Sequence, residues 1–276
     1  MNDPKYMMLQ SLLLEAKRVA VAFSGGTDSA FLLAAAREIL GEQVIAVTVR
    51  SPIFPQSEQL EAEDFCRTRG IRQIMIDTDL PDPDAFEKNP PDRCYHCKRA
   101  LFSRMTETAA ENGFAVITDG SNCDDSDDFR PGMRAVSELG IRSLLREAGF
   151  YKSEIRALSH EMGLPTWDKP SMACLASRIP YGEPITAELL NSIGKAEAYL
   201  QERGFRQVRV RVSNRAARIE IPTEQFQMLL NNRVPLTAYL RSLGFSYISL
   251  DLQGYRTGSM NETLSENDKV RYLQNT

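Results

Sequence analysis

Six residues near the start of the chain, Ser24-Gly25-Gly26-Thr27-Asp28-Ser29, have the types and spacing of an anion site. They follow an apolar run, Val19-Ala20-Val21-Ala22-Phe23, and lead into a helix-compatible stretch over 30–40. A strand, a glycine turn and a helix start bring free backbone N–H groups and the positive end of a helix to one spot. Two glycines let the backbone approach an oxyanion closely. Ser24 and Ser29 add hydroxyl donors. Asp28 is out of place in a phosphate cradle unless it holds a cation or orients the loop. The stretch has neither the lysine of G-x-x-x-x-G-K-[ST] nor the spacing of G-x-G-x-x-G. The simpler alternative is a Gly-Gly turn with a Ser or Asp cap.

A second chemical set is made of thiols. Cys94-Tyr95-His96-Cys97 is a C-x-x-C at a predicted helix start, and Cys174 lies 77 residues beyond Cys97 in a Pro-rich segment. At i and i+3 the paired thiols share one helix face, and a helix N-terminus favours thiolates. Three readings stay open. A dithiol redox pair leaves Cys174 unexplained. Structural zinc wants four ligands, with His96 or His160 as the fourth. A [4Fe–4S] cluster on Cys94, Cys97 and Cys174 leaves one iron open to an exogenous ligand such as sulfide. Cys66 reads as a small buried hydrophobe, and so does Cys123, which also stands as a spare fourth ligand.

The elements around these residues alternate. Helices are expected over 5–16, 57–68 (with Ser57 as N-cap), 94–112 and 153–162, and strands over 19–23, 44–49, 71–76 and 114–118. Residues 77–92, rich in Pro and Asp, read as a loop. Such alternation predicts an α/β domain with a parallel sheet. Ligands of such sheets sit beyond the carboxyl ends of the strands. Ser24, Arg50-Ser51 and Asp119 follow strand ends and should converge on one crevice. After Pro165 the pattern changes: a helix over 187–203, alternating strands at 208–212 and 218–221, two short helices and a strand at 247–252 predict a small α+β unit. The expected domains are therefore residues 1–165 and 166–276.

Composition narrows the function. A chain of 276 residues with 42% hydrophobic and 25% charged content has an ordinary globular make-up. A formal charge of −4 argues against a dominant nucleic-acid surface. No run of eighteen apolar residues predicts a membrane span, and Met1-Asn2-Asp3-Pro4 lacks a secretory pattern. Five cysteines without small-scaffold spacing point to a reducing, cytoplasmic setting.

The S-G-G-x-D-S stretch after a strand resembles the PP-loop of ATP pyrophosphatases (adenine nucleotide alpha hydrolase-like), which adenylate an oxygen and release pyrophosphate. Further segments extend the likeness: Asp119-Gly120-Ser121-Asn122 with Asp124-Asp125; Arg130-Pro131-Gly132; Ser177-Arg178-Ile179-Pro180-Tyr181-Gly182; Arg209-Val210-Arg211; and Leu250-Asp251-Leu252-Gln253-Gly254-Tyr255-Arg256. With these, the chain resembles the LarE-type ATP-dependent sulfur transferases of nickel-pincer cofactor biosynthesis. The resemblance implies ATP-driven adenylation of a carboxylate of pyridinium-3,5-dicarboxylate mononucleotide, followed by replacement of AMP with sulfur. It implies nucleotide contacts by Ser24, Gly25, Gly26, Asp28, Ser29, Ser51 and Asn122, with Mg²⁺ at the pyrophosphate. It carries over Cys94, Cys97, Cys174, Ser177 and Arg178 as catalytic positions, Arg178 toward the substrate phosphate or the acyl-adenylate, with a surface arginine as the alternative.

Arg209 and Arg211 suit a phosphate or carboxylate; a solvated edge face is the alternative. Glu197 and Glu220 match acidic family positions. Asp124, Asp125, Asp127 and Asp128 read as a solvated acidic loop that could aid Mg²⁺. Some members sacrifice the sulfur of the cysteine at position 174 and lack the C-x-x-C. This chain, with Cys94 and Cys97, resembles instead the three-cysteine subgroup thought to carry a [4Fe–4S] cluster. The resemblance also implies a sulfide or sulfur-protein donor and a trimer-based homo-oligomer. Two other classes compete: a cluster-dependent tRNA thiolase, which needs an extended basic surface, and a non-catalytic nucleotide-binding module with structural zinc.

Overall fold

The computed structural model describes residues 3–127, 131–170, 173–256, 259–260 and 265. Asp128, Arg130, Ser171 and Met172 lie outside the described residues, and so does the Asp127 side chain. Two compact units result. One comprises Met1–Ser51, Ser57–Pro81 and Cys94–Met172; the other comprises Pro52–Gln56, Asp82–Arg93 and Ala173–Thr276.

Asp3 starts the first helix, α1 (Pro4–Ala16), by accepting from the N–H groups of Lys5 (2.8 Å) and Tyr6 (2.9 Å). Next come β1 (Val19–Ala22), α2 (Thr27–Leu40), β2 (Val44–Arg50), α3 (Gln56–Thr68) and β3 (Gln73–Asp77). Then follow α4 (Pro83–Lys88), α5 (Arg93–Glu111), β4 (Val116–Thr118), α6 (Gly132–Glu138), α7 (Leu144–Glu147) and α8 (Lys152–Glu161). The four strands are parallel in the order β3-β2-β1-β4. Val44 to Val49 are all buried, as a strand covered on both faces requires. Leu9 and Leu13 of α1, Phe31 and Leu32 of α2, Leu144 and Leu145 of α7, and Ile155 of α8 form one core.

The other unit contains α9 (Ala187–Gln201), β5 (Arg209–Ser213), β6 (Ala216–Glu220), α10 (Phe226–Asn231), α11 (Arg233–Ser242) and β7 (Tyr247–Leu250). β5 and β6 form an antiparallel hairpin, and β7 adds parallel to β6. Asn214 and Arg215 both take positive φ (48° and 62°), the two-residue turn that matches strand twist. α9 packs against β5. The α/β domain with a parallel sheet and the small α+β unit are thus both present.

Two local expectations need correction. Residues 83–88 are helical rather than loop, because the Asp82 carboxylate caps the Ala85 N–H (3.0 Å) and Pro83 suits the first helical position. Ser57 lies inside α3 instead of capping it. The stretch 82–93 is also tied to 180–185. Buried Asn89 donates its side-chain amide to the carbonyls of Pro180 (2.7 Å) and Glu183 (2.8 Å), and the Gly182 N–H donates to the Asn89 carbonyl (2.9 Å).

Candidate active site

Phe23 extends β1 by donating its N–H to the Val47 carbonyl (2.9 Å), and the chain then turns sharply. Gly25 makes the turn at φ +75°, where a Cβ would meet the Ala62 Cβ at 3.1 Å and the Glu58 carbonyl oxygen at 3.3 Å. Conformation and space both require glycine there. Gly26 is the N-cap of α2 and offers no side-chain cap, so the first N–H groups of the helix keep their capacity for a ligand. The Ser24 and Ser29 hydroxyls lie 3.1 Å apart, and the Ser29 hydroxyl donates to the Gly26 carbonyl at 3.2 Å.

The parallel sheet puts the ends of β1, β2 and β4 on one edge. Gly120 abuts the loop: a Cβ there would lie 2.9 Å from the Ser29 nitrogen. Asp119 shapes this turn. Its carboxylate accepts from the Ser121 hydroxyl (2.5 Å), the Ser121 N–H (3.2 Å) and the Ser143 hydroxyl (2.8 Å). Ser51 follows β2, is buried, and donates its hydroxyl to the Asp79 carbonyl (2.5 Å). Asn122 is buried, and its side-chain oxygen accepts from the Asp124 N–H (2.9 Å). Asp124 and Asp125 accept from the N–H groups of Lys152 (2.6 Å) and Asn122 (3.0 Å). Each thus accepts from a backbone N–H group.

Asp28 differs. One of its carboxylate oxygens is buried with no hydrogen-bond partner among the described residues, while the other lies 3.6 Å from the Lys152 ammonium. Burial raises its proton affinity above the ordinary carboxylate value, and Lys152 opposes the shift. An orphaned buried carboxylate oxygen at an anion loop fits a cation-binding role. Sequence reasoning missed Lys169, which stands beside this loop. Its ammonium donates to the Gly25 carbonyl (3.1 Å) and pairs with Glu61 (2.7 Å).

Cys94 and Cys97 lie half-buried in the first turn of α5. Gly132 abuts that turn: a Cβ on it would meet the Cys94 carbonyl oxygen at 3.2 Å and the Lys98 side chain at 2.7 Å. The C-x-x-C pair fits one face of a helix start. Among the described residues, no group of three or more His, Cys, Asp or Glu side chains is gathered to hold a metal ion. The donor chemistry of the three thiols fits a cluster. None of the five cysteines is in a disulfide. Buried Cys66 is inert, its thiol pushed up to about 12 by burial, against the opposing charge of Arg69.

In the other unit, Cys174 precedes a short 3-10 turn, Leu175–Arg178. The Arg178 side chain is fully buried, and it is not a surface arginine. It pairs with Glu197 through Nε (2.9 Å) and Nη2 (2.7 Å). Its Nη1 donates to the Ala173 carbonyl (2.8 Å), the Ser177 hydroxyl (2.9 Å) and, more distantly, the Cys174 carbonyl (3.2 Å).

The arginines of β5 do not form a solvated edge face. Arg211 pairs with buried Glu220 (3.0 Å) and donates to the Ser177 carbonyl (2.6 Å) and the Ser259 hydroxyl (2.7 Å). Arg209 is buried and lies over the Tyr255 ring at 5.3 Å. Burial first, then the neighbouring Arg178 charge, holds its guanidinium below its ordinary value. The alternation of Val and Arg was visible in the sequence; the carboxylate that pairs with Arg211, Glu220, comes from β6, out of sequence reach.

No family model matches the chain. Its likeness to individual proteins is extensive. A pyridinium-3,5-bisthiocarboxylic acid mononucleotide synthase of Lactiplantibacillus plantarum is 40% identical over 265 residues, covering 95% of this chain and 95% of that protein. An uncharacterized protein of Synechocystis sp. is 38% identical over 268 residues, 96% of this chain and 100% of that one. One chain of the glutamine-hydrolyzing GMP synthase of Thermoplasma volcanium is 24% identical over 172 residues, 55% of this chain and 54% of that one. The last match agrees with a PP-loop fold. Similarity to the synthase at 40% identity over 95% of both chains, with the loop and the Ser177-Arg178 turn in place, shows that the chain belongs to the LarE-type family of ATP-dependent sulfur transferases.

Proposed function

We propose that this enzyme converts a carboxylate of a pyridinium-3,5-dicarboxylate mononucleotide to a thiocarboxylate at the expense of ATP. The observation that carries this reading is the 40% identity, across nearly both whole chains, to the bisthiocarboxylate mononucleotide synthase. Adenylation comes first. A substrate carboxylate oxygen attacks the α-phosphorus of ATP, and the bond to the β-phosphate oxygen breaks to release pyrophosphate. The N–H groups of Gly25, Gly26 and the α2 start, with the Ser24 and Ser29 hydroxyls, receive the pyrophosphate charge. Asp28, with its buried oxygen unpartnered among the described residues, would hold a Mg²⁺ ion, which would supply charge neutralisation at the phosphates. Ser51 and Asn122 shape the nucleotide site through backbone atoms, since their side chains are already engaged.

Sulfur transfer comes second. A sulfur nucleophile attacks the acyl carbon, the bond to the AMP oxygen breaks, and AMP departs. Arg209 binds the substrate phosphate, while Arg211, whose donors are taken by Glu220, the Ser177 carbonyl and the Ser259 hydroxyl, positions the Ser177 turn beside it. Arg178 acts as a positioning residue, holding the Ala173 and Cys174 carbonyls against Glu197. The unit that carries the glycine loop, which extends past residue 165 to include Lys169, serves activation, and the unit that carries Arg178 and β5 serves substrate binding and assembly into a trimer-based homo-oligomer. We further propose that Cys94, Cys97 and Cys174 hold a [4Fe–4S] cluster in a reducing cytoplasm, recharged by sulfide or a sulfur-donor protein. When bound, such a cluster supplies an iron site open to exogenous sulfide. The support is the donor set: three thiols outside any disulfide, two of them on one helix turn.

The test is anaerobic reconstitution with iron and sulfide counting, followed by pyrophosphate release with the dicarboxylate substrate. About four irons per chain, lost in Cys174→Ala, and substrate-dependent release abolished in Asp28→Ala are expected. Zinc at unit stoichiometry without iron overturns the cluster. Dehydroalanine at position 174 after turnover replaces it with sacrificial sulfur donation.

A further inference from the structure

Lys169 is held where it stands. The Thr27 hydroxyl donates to the Thr166 carbonyl at 2.8 Å. Arg156 on α8 donates to the carbonyls of Trp167 (2.9 Å) and Lys169 (2.6 Å). Residues 166–169 are thereby strapped beside the start of α2. From this strap the Lys169 side chain, only 15% exposed, reaches the Gly25 carbonyl (3.1 Å), Glu61 (2.7 Å) and Glu58 (3.6 Å).

The peptide plane gives this contact a direction. The Gly25–Gly26 peptide is trans, so its C=O and N–H point opposite ways. An ammonium clamped on the Gly25 carbonyl turns the Gly26 N–H away from Lys169 and into the loop. There, among the described residues, the N–H meets only a long contact, 3.4 Å, to the Ser24 hydroxyl, and it retains donor capacity for an oxyanion. Lys169 also faces two carboxylates that would repel one. Glu58 and Glu61 both lie on α3, and the Glu58 backbone borders Gly25.

We propose that Lys169 is a positioning residue of the pyrophosphate loop: it aims the Gly26 N–H at the anion and neutralises Glu58 and Glu61 without touching the nucleotide. This rests on the reading of the loop as the ATP site. The experiment measures binding of Mg²⁺-free inorganic pyrophosphate, and of ATP with Mg²⁺, to the full chain by calorimetry. Lys169→Met, Lys169→Arg and the charge-balanced Lys169→Met/Glu61→Gln are compared with the wild type, with thermal unfolding run alongside.

Lys169→Met is expected to weaken pyrophosphate binding about 10- to 100-fold, the scale of a charged hydrogen bond plus an uncompensated neighbour. Lys169→Arg keeps most of the affinity, because it can still donate to the carbonyl. The double variant recovers part of the loss and no more. Binding of Lys169→Met within twofold of wild type overturns the proposal. Full recovery in the double variant overturns the orienting role. No recovery there makes Lys169 a direct ligand and overturns it also. A wild type that binds neither pyrophosphate nor ATP overturns the reading of the loop and this inference with it.

Discussion

The glycine loop and the arginine turn handle polarity in opposite ways. At the loop, hydrogen-bonding capacity is left over: Gly26 caps α2 without a side chain, and Asp28 buries an oxygen that no described residue satisfies. At the turn after Cys174, the Arg178 and Arg211 guanidiniums meet Glu197 and Glu220 in paired contacts and donate onward to backbone carbonyls. Unspent donors cost stability and await a ligand. Buried, matched ions cost desolvation and fix one geometry. The loop is thus built to change partners during a reaction, and the turn is built to hold Ser177 and Cys174 still.

The sharpest way to break this contrast is Glu197→Ala. It strands the Arg178 charge in the interior and also removes the acceptor of the Val210 N–H (2.8 Å). A loss of about 3–5 kcal/mol in urea unfolding is expected. A loss under about 1 kcal/mol would show that the pair contributes no rigidity. Gly120→Ala tests the loop from outside. The added methyl, 2.9 Å from the Ser29 nitrogen, should cost about 1–3 kcal/mol and reduce ATP–pyrophosphate exchange by more than that stability loss explains. Unchanged exchange would separate the 119–122 turn from the nucleotide site.

Asp28→Asn has the smallest expected effect on stability and the opposite sign. Burial raises the folded-state pKa of Asp28 above its unfolded value. Its contribution to stability is therefore fully present below the unfolded pKa and lost as pH rises through the folded pKa. At pH 7 the charged carboxylate is a cost that asparagine removes. The melting temperature of Asp28→Asn at pH 7 should equal or exceed that of wild type, with the gain vanishing toward pH 4, while pyrophosphate release falls. A lower melting temperature at pH 7 would mean that Lys152 satisfies the carboxylate and that no cation is needed there.

Much of the loop was legible in advance because its parts are contiguous. Strand, Gly25, Gly26 and helix start follow one another in sequence, and local sterics dictate the turn. The C-x-x-C spacing was legible for the same reason. Lys169 was not, since its partner Gly25 is remote in the chain. The fate of Arg178, Arg209 and Arg211 was equally hidden. Alternating Arg and Val fits an exposed edge as well as a buried charge network, and only the arrival of Glu197 and Glu220 distinguishes them. The helix over 83–88 escaped notice because proline and aspartate, abundant in loops, are also helix starters.

The sequence by itself determined the short-range chemistry of this protein: the glycine turn that makes an anion site, the two thiols on one helix turn, and the alternation that makes a parallel sheet. Tertiary structure alone decided which charges are spent. Folding brought Lys169 to the Gly25 carbonyl, buried one oxygen of Asp28 unsatisfied, and closed Glu197 and Glu220 onto Arg178 and Arg211. Backbone geometry is set by neighbours along the chain, whereas the energy of a charge is set by what surrounds it in space.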